Sequence, residues 1–239
     1  MVGGTLYLIP STLGDQCSID AVLPAGIREV CGTLRHFIVE NEKPARAFLK
    51  RLKLDVPIQE FLLYPLNEHT DLKKEDLSLL LKPLLNGQNM GLMSDAGCPA
   101  VADPGSAVVR LAHEKNIRVV PLVGPSSILL ALMGSGFNGQ SFVFHGYLPR
   151  ERPDRIKKIK ELELDAAKKK QTQLFIETPY RNQHMFEDIV ATCEKHTLLC
   201  LATDITLTTE FIATKTIQDW KKQVPQLNKR PTIFLVHKY

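Results

Sequence analysis

The chain has 239 residues, 44% of them hydrophobic and 23% charged. That balance excludes a disordered chain, a collagen-like chain and a disulfide-stapled miniprotein. The formal net charge is +4, with 26 acidic residues interspersed among 30 basic ones, which permits contact with nucleic acid without arguing for it.

The first half alternates strand and helix patterns. Residues 5–9 read as a strand stopped by Pro10, and residues 18–30 as a helix. A short strand at 36–39 precedes a helix at 44–52, where Pro44 suits the first turn. Residues 60–64 form a strand stopped by Pro65, and 72–85 a helix with Gly87 as its C-cap signal. Residues 90–94 read as a buried strand. The helix at 107–114 is capped by Asp103 with Pro104 at its first position, and 117–123 is a further strand. This rhythm predicts an α/β fold with a mostly parallel, doubly wound sheet.

A Gly-Pro turn at 123–127 marks the expected boundary, giving domains 1–123 and 124–239. A short apolar helix follows it. The second half has predicted strands at 141–147, 172–177, 197–203, 209–214 and 232–237, with helices near 153–170, 179–195 and 217–223. The last strands follow one another with little helix between them, so a mixed sheet is expected there. No internal repeat or low-complexity segment is visible.

Five cysteines stand at 17, 31, 98, 193 and 200 with no C-x-x-C pair, which points to free thiols and not to a disulfide framework or zinc site. The histidines show no ligand spacing, so no metal is expected. The N-terminus lacks the basic and long apolar regions of a signal peptide. No stretch approaches the roughly 20 apolar residues of a membrane span. A cytoplasmic protein without a membrane partner is the expectation.

Gly134-Ser-Gly-Phe-Asn-Gly139 matches G-x-G-x-x-G, but it follows a helical run and leads into a strand. A dinucleotide site needs the reverse context, so this is a turn. The most informative stretch is Gly91-Leu-Met-Ser-Asp-Ala-Gly-Cys-Pro-Ala-Val-Ala-Asp-Pro-Gly105. A hydrophobic strand runs there into a loop of small residues, beyond the carboxyl end where open sheets bind ligands. The alternative is a tight strand-to-helix connection capped by Asp103.

Taken with Val119-Val-Pro-Leu-Val-Gly-Pro-Ser-Ser127, this stretch resembles the tetrapyrrole methylase superfamily of S-adenosylmethionine methyltransferases. It is most similar to the branch that methylates a ribose 2′-hydroxyl of 16S ribosomal RNA. The likeness continues through Gly134–Gly136, Phe144-His-Gly-Tyr-Leu-Pro149 and Leu174-Phe-Ile-Glu-Thr-Pro-Tyr-Arg181. It covers nearly the whole chain in the right order.

The resemblance implies two α/β domains, usually in a homodimer, with S-adenosylmethionine in the cleft between the domains. It places Pro10 of the N-terminal proline loop, Ser94, Asp95, Ala96, Gly97, Ala100, Val101 and Ala102 at the cofactor. It adds Ser126 and Ser127 from the linker, Ile176, Glu177 and Thr178 from the second domain, and Pro231 and Thr232 near the final strand. Glu177 and Glu40 are the carboxylates that the pattern offers for catalysis, and Arg181 could hold a phosphate or orient Glu177. A Glu177–Arg181 pair that only fixes the domain is the competing assignment.

The chain also departs from that branch. Val39-Glu-Asn-Glu-Lys43 stands where an E-D-T-R segment is typical, and Thr203 and Leu207 replace two basic residues expected near substrate. Ribosomal RNA, or the small ribosomal subunit, is the implied partner. A small-molecule methylase acting on a tetrapyrrole precursor and a catalytically weak cofactor-binding module are the alternatives. Cys98 reads as a small space-filling thiol, and His145 as facing solvent or a site rim. Lys157, Lys158, Lys160 and Lys168–Lys170, after Arg150–Arg155, form either a solvated helix face or a phosphate-tracking patch.

Overall fold

A computed structural model describes residues 3–66 and 78–239. The chain divides into two compact units, Met1–Ser126 and Ser127–Tyr239.

The first unit is a five-stranded sheet of β1 (Thr5–Leu8), β2 (His36–Val39), β3 (Leu62–Pro65), β4 (Met90–Met93) and β5 (Arg118–Pro121). The order is β3-β2-β4-β1-β5 and every pairing is parallel. Alternation of side chains along each strand feeds two separate cores. Phe37, Val39, Ile9 and Met93 pack beneath α1 (Ile19–Val22), α2 (Gly26–Thr33) and α3 (Glu42–Arg51). Leu6, Ile38, Met90 and Leu92 pack against α4 (Lys82–Leu85) and α5 (Gly105–Glu114) on the other face. The sheet is therefore doubly wound, as its sequence rhythm predicts. Each fully buried side chain of this size contributes about 1.5–3 kcal/mol.

Gly91 sits in the central strand for a steric reason. A Cβ there would lie 2.6 Å from Ile9 Cδ1 and 2.7 Å from Phe37 Cδ1.

One expected helix is broken in two. Residues 18–30 form α1 and α2, separated at Leu23–Pro24, because the proline disfavours helical geometry at the residue before it. The start of the helix expected at 72–85 lies outside the described residues.

The second unit begins with α6 (Ser127–Ser135) and carries β6 (Phe142–Tyr147), α7 (Arg152–Lys169), β7 (Thr172–Ile176) and α8 (Asn182–Thr192). It continues with β8 (Leu198–Thr203), β9 (Phe211–Thr216), α9 (Ile217–Trp220) and β10 (Thr232–His237). Its sheet has the order β6-β7-β10-β8-β9. Only β6 and β7 are parallel; β10 runs antiparallel to β7 and β8, and β8 to β9. The mixed sheet follows from the connections, since a short link joins β8 to β9 while α7 carries the crossover from β6 to β7. β10 is buried along its whole length. Its Phe234 shares a core with Phe175, Phe186 and Trp220, and stacks on Phe175 at 5.6 Å.

Gly134 lies in α6, and the segment after it leads into β6. The G-x-G-x-x-G match is a helix-to-strand turn. Among the described residues, no helix is long and apolar enough to cross a membrane.

Candidate functional site

In the first unit, the loops leaving β1, β2 and β4 meet at the carboxyl edge of the sheet. Ser11 N–H donates to the Gly97 carbonyl (2.9 Å), and Ser11 Oγ donates to the Ser94 carbonyl (3.2 Å). Glu40 Oε2 accepts from Asp95 N–H at 3.1 Å, while Asn41 Nδ2 donates to Asp95 Oδ2 at 2.7 Å. Ser94 Oγ donates to the Ala96 carbonyl (3.2 Å). Pro10, Glu40, Ser94, Asp95, Ala96 and Gly97 are thus brought together by hydrogen bonds between segments more than 50 residues apart.

The loop past Ser94 holds an unusual backbone. Gly97 (φ +73°), Ala100 (φ +67°) and Ala102 (φ +62°) are all left-handed. For the two alanines this costs roughly 1–2 kcal/mol each, and such strain persists only where surroundings over-determine it. Asp103 supplies that restraint. Its Oδ1 accepts from Ala100 N–H (3.0 Å) and from Gly105 N–H (2.7 Å), the first residue of α5. Its Oδ2 is buried without a hydrogen-bond partner. Burial pushes the Asp103 carboxyl above its ordinary value, against backbone N–H bonds from Gly105, Ala100 and Val101 that pull it down. Glu40, Ser94 and Asp103 also line a cavity of about 10 Å³, the size of one water.

Arg51 anchors the proline loop from behind. Its guanidinium donates to Thr12 Oγ1 (3.2 Å) and to the Cys17 carbonyl. Cys98 Sγ donates to the Pro125 carbonyl at 3.4 Å, a small thiol filling space in its loop. Val101 is 50% exposed. Ser126 ends the first unit, and Ser127 opens α6.

In the second unit, a group of polar residues gathers at one end of the sheet. The antiparallel registers Ile233↔Ile176 and Thr232↔Thr203 bring the end of β7, the start of β10 and the end of β8 side by side. Ile176, Glu177, Thr178, Pro231 and Thr232 stand there. Glu177 Oε2 pairs with Arg181 Nη2 at 2.9 Å, and Glu177 Oε1 accepts from Thr178 N–H at 2.7 Å. Arg181 Nη2 also donates to the Arg150 carbonyl (3.3 Å). Thr203 and Thr232 hydroxyls meet at 3.1 Å, both buried.

The sequence reading missed four residues that build these edges. Asn41 stands where the motif departs from E-D-T-R, and that departure was its only signal. Asn182 is fully buried and its Nδ2 donates to the Arg230 carbonyl at 2.6 Å, joining the start of α8 to the loop before β10. Asp204 pairs with Arg230 at 2.8 Å. No local pattern marks either of those partners. Among the described residues no group of three metal-ligating side chains occurs.

No protein-family model matches the chain, but individual proteins do. It is 29% identical over 236 residues to the ribosomal RNA small subunit methyltransferase I of Escherichia coli O157:H7, spanning 98% of this chain and 77% of that protein. Its match to the protein of the same name from Pasteurella multocida (strain Pm70) is 31% over 236 residues, spanning 98% and 79%. Among solved structures, the methyltransferase CobJ aligns with a TM-score of 0.64 at 16% identity, over 99% of this chain and 94% of that one. The cobalt precorrin-4 methyltransferase CbiF gives 0.58 at 13% identity, over 98% and 94%. Such low identities carry the fold alone. With 31% identity along almost its full length, the chain belongs to the ribosomal RNA small subunit methyltransferase I family of S-adenosylmethionine-dependent enzymes.

Proposed function

We propose that the chain transfers a methyl group from S-adenosylmethionine to a ribose hydroxyl of small-subunit ribosomal RNA. The observation that carries this is the convergence of Pro10, Glu40 and Ser94–Gly97 at the carboxyl edge of β1, β2 and β4, where parallel sheets bind ligands. The residues fit an adenosine-bearing cofactor. Small side chains and exposed backbone line the loop, and Asp95 offers a carboxylate to hydroxyls. At Gly97 a Cβ would sit 3.1 Å from Leu13 Cδ2 and 3.4 Å from the Pro125 carbonyl oxygen, so glycine is what lets the loop backbone pass this close to its neighbours.

Pro10, Ser94, Asp95, Ala96, Gly97, Ala100, Val101 and Ala102 are assigned to the cofactor in the first unit, with Ser126 at its end. Ser127, Ile176, Thr178, Pro231 and Thr232 are assigned to it in the second. When bound, S-adenosylmethionine supplies an electrophilic methyl for in-line displacement. The protein's work is then alignment and exclusion of water. Glu40, next to the Asp95 loop, is assigned to take the hydroxyl proton. Arg181, a third exposed, presents its guanidinium to an acceptor phosphate. Glu177 orients Arg181 and the loop before α8.

Exposed Tyr180 adds a stacking face for an unpaired base, with Lys229 Nζ 6.0 Å from its ring centroid. An unbridged set of five cysteines supports a cytoplasmic setting. Leu129 and Met133, 51% and 78% exposed on α6, offer an apolar face for a second copy and support a homodimer.

Calorimetry with S-adenosylmethionine and S-adenosylhomocysteine, followed by labelled-methyl transfer to unmodified small ribosomal subunits, tests this function. Micromolar cofactor binding and label in the RNA are expected. Cofactor binding with label only in a tetrapyrrole precursor would replace the RNA assignment, and no cofactor binding by the folded chain would overturn it entirely.

A further inference from the structure

We propose that the outward face of α7 is the track along which the RNA phosphodiester backbone leaves the second unit's polar edge. This rests on the ribosomal RNA substrate proposed above and names a surface for it.

The first ground is where the charge lies. Residues 150–170 carry nine basic and five acidic side chains, an excess of four that equals the net charge of the whole chain. Outside those residues, acids and bases balance.

The second ground is how the helix spends these charges. Arg155, Ile159, Leu162, Glu163 and Ala166 are buried. Arg155 is consumed by Asp188, at 2.9 and 2.7 Å. Lys158 pairs with Glu161 and Lys169 with Asp165. Lys157, Lys160 and Lys168 are exposed and have no ion-pair partner among the described residues. At 3.6 residues per turn they fall within a sector of about 80° opposite the buried face, over about 16 Å of helix axis. Phosphates on one strand of a duplex rise about 3.4 Å apart, so the stripe faces several of them. Leu164, 55% exposed, lies in the same sector.

The third ground is where the stripe begins. β6 and β7 are parallel, so α7 starts at the strand-end edge that holds Glu177 and Arg181 and runs back from it. The join is direct: the Arg150 carbonyl, just before α7, accepts from both Arg181 Nη2 (3.3 Å) and Arg155 Nη1 (2.7 Å). A nucleotide held at Arg181 thus has its neighbouring phosphates next to exposed Arg150 and then to the three lysines. A helix face kept basic only for solubility would not need its unpaired lysines on one line from the site.

The test is anisotropy of a labelled 16S ribosomal RNA transcript against the full chain, from about 50 to about 200 mM salt. The variant combines Lys157→Gln, Lys160→Gln and Lys168→Gln. A control combines Lys82→Gln, Lys195→Gln and Lys221→Gln, exposed lysines on other elements whose loss removes the same charge. The stripe variant is expected to bind at least about tenfold more weakly at low salt, with the log–log salt slope reduced by about two. The control is expected to keep the wild-type slope, and both are expected to keep cofactor affinity and unfolding midpoint. Equal slopes for stripe variant and wild type, or equal losses in stripe and control variants, would overturn the track while leaving the RNA substrate intact. A wild-type chain that binds cofactor but no RNA at low salt would overturn both.

Discussion

Glu177 and Arg181 form a 2.9 Å ion pair in which the carboxylate is 3% exposed and the guanidinium 32%. The asymmetry decides what each partner's loss does. Removing Arg181 strands a buried charge, whereas Glu177→Gln retains an oxygen that can accept from Thr178 N–H. Arg181→Ala is therefore expected to lose about 3 kcal/mol in urea unfolding, and Glu177→Gln clearly less. Equal losses would show that the loop does not depend on burial of the carboxylate.

Gly97→Ala is expected to weaken cofactor binding by more than about tenfold and stability by about 1–2 kcal/mol, because φ is +73° and Leu13 stands 3.1 Å from the new Cβ. Calorimetry and thermal unfolding read the two effects. Unchanged affinity would remove this loop from the cofactor.

Asp103 makes stability respond to pH. Its native carboxyl titrates above the ordinary aspartate value of 3.8, so the folded state holds the proton more tightly than the unfolded chain. This contribution is fully present below 3.8 and is lost as pH rises through the raised native value. Asp103→Asn keeps an acceptor for Ala100 and Gly105 N–H but cannot ionise. The variant should therefore gain stability relative to wild type as pH rises from below 3.8 through the raised native value, measured by urea midpoints. A pH-independent difference would contradict it.

Cys98 is the one cysteine not classed as buried. Burial raises its thiol too, but Cys31 and Cys193 are pushed up to about 12 and Cys200 to about 11. Iodoacetamide at mildly alkaline pH should label Cys98 alone in the native chain and all five after denaturation. S-adenosylhomocysteine should slow that single reaction. Mass spectrometry of digests reads both.

Strand positions were legible because alternation and proline stops mark them: His36–Val39 and Thr232–His237 have the bounds that their apolar runs predict. The Gly91–Gly105 loop was visible through its composition. Its conformation was not, since alanine at 100 and 102 gives no sign of a left-handed backbone. Nor does anything local tie Asn41 to Asp95 or Asp204 to Arg230. Those contacts arise only once the sheets set which loops are neighbours.

The burial of β10 between β7 and β8 sets an order of assembly. The first sheet has all its strands once residue 121 has been made, whereas the second needs residues 232–237 at its centre. During synthesis, β7 and β8 each present an unpaired edge until those residues emerge. That interval is when the nascent chain is most exposed to mispairing, and a chaperone would act there on the second unit and not the first.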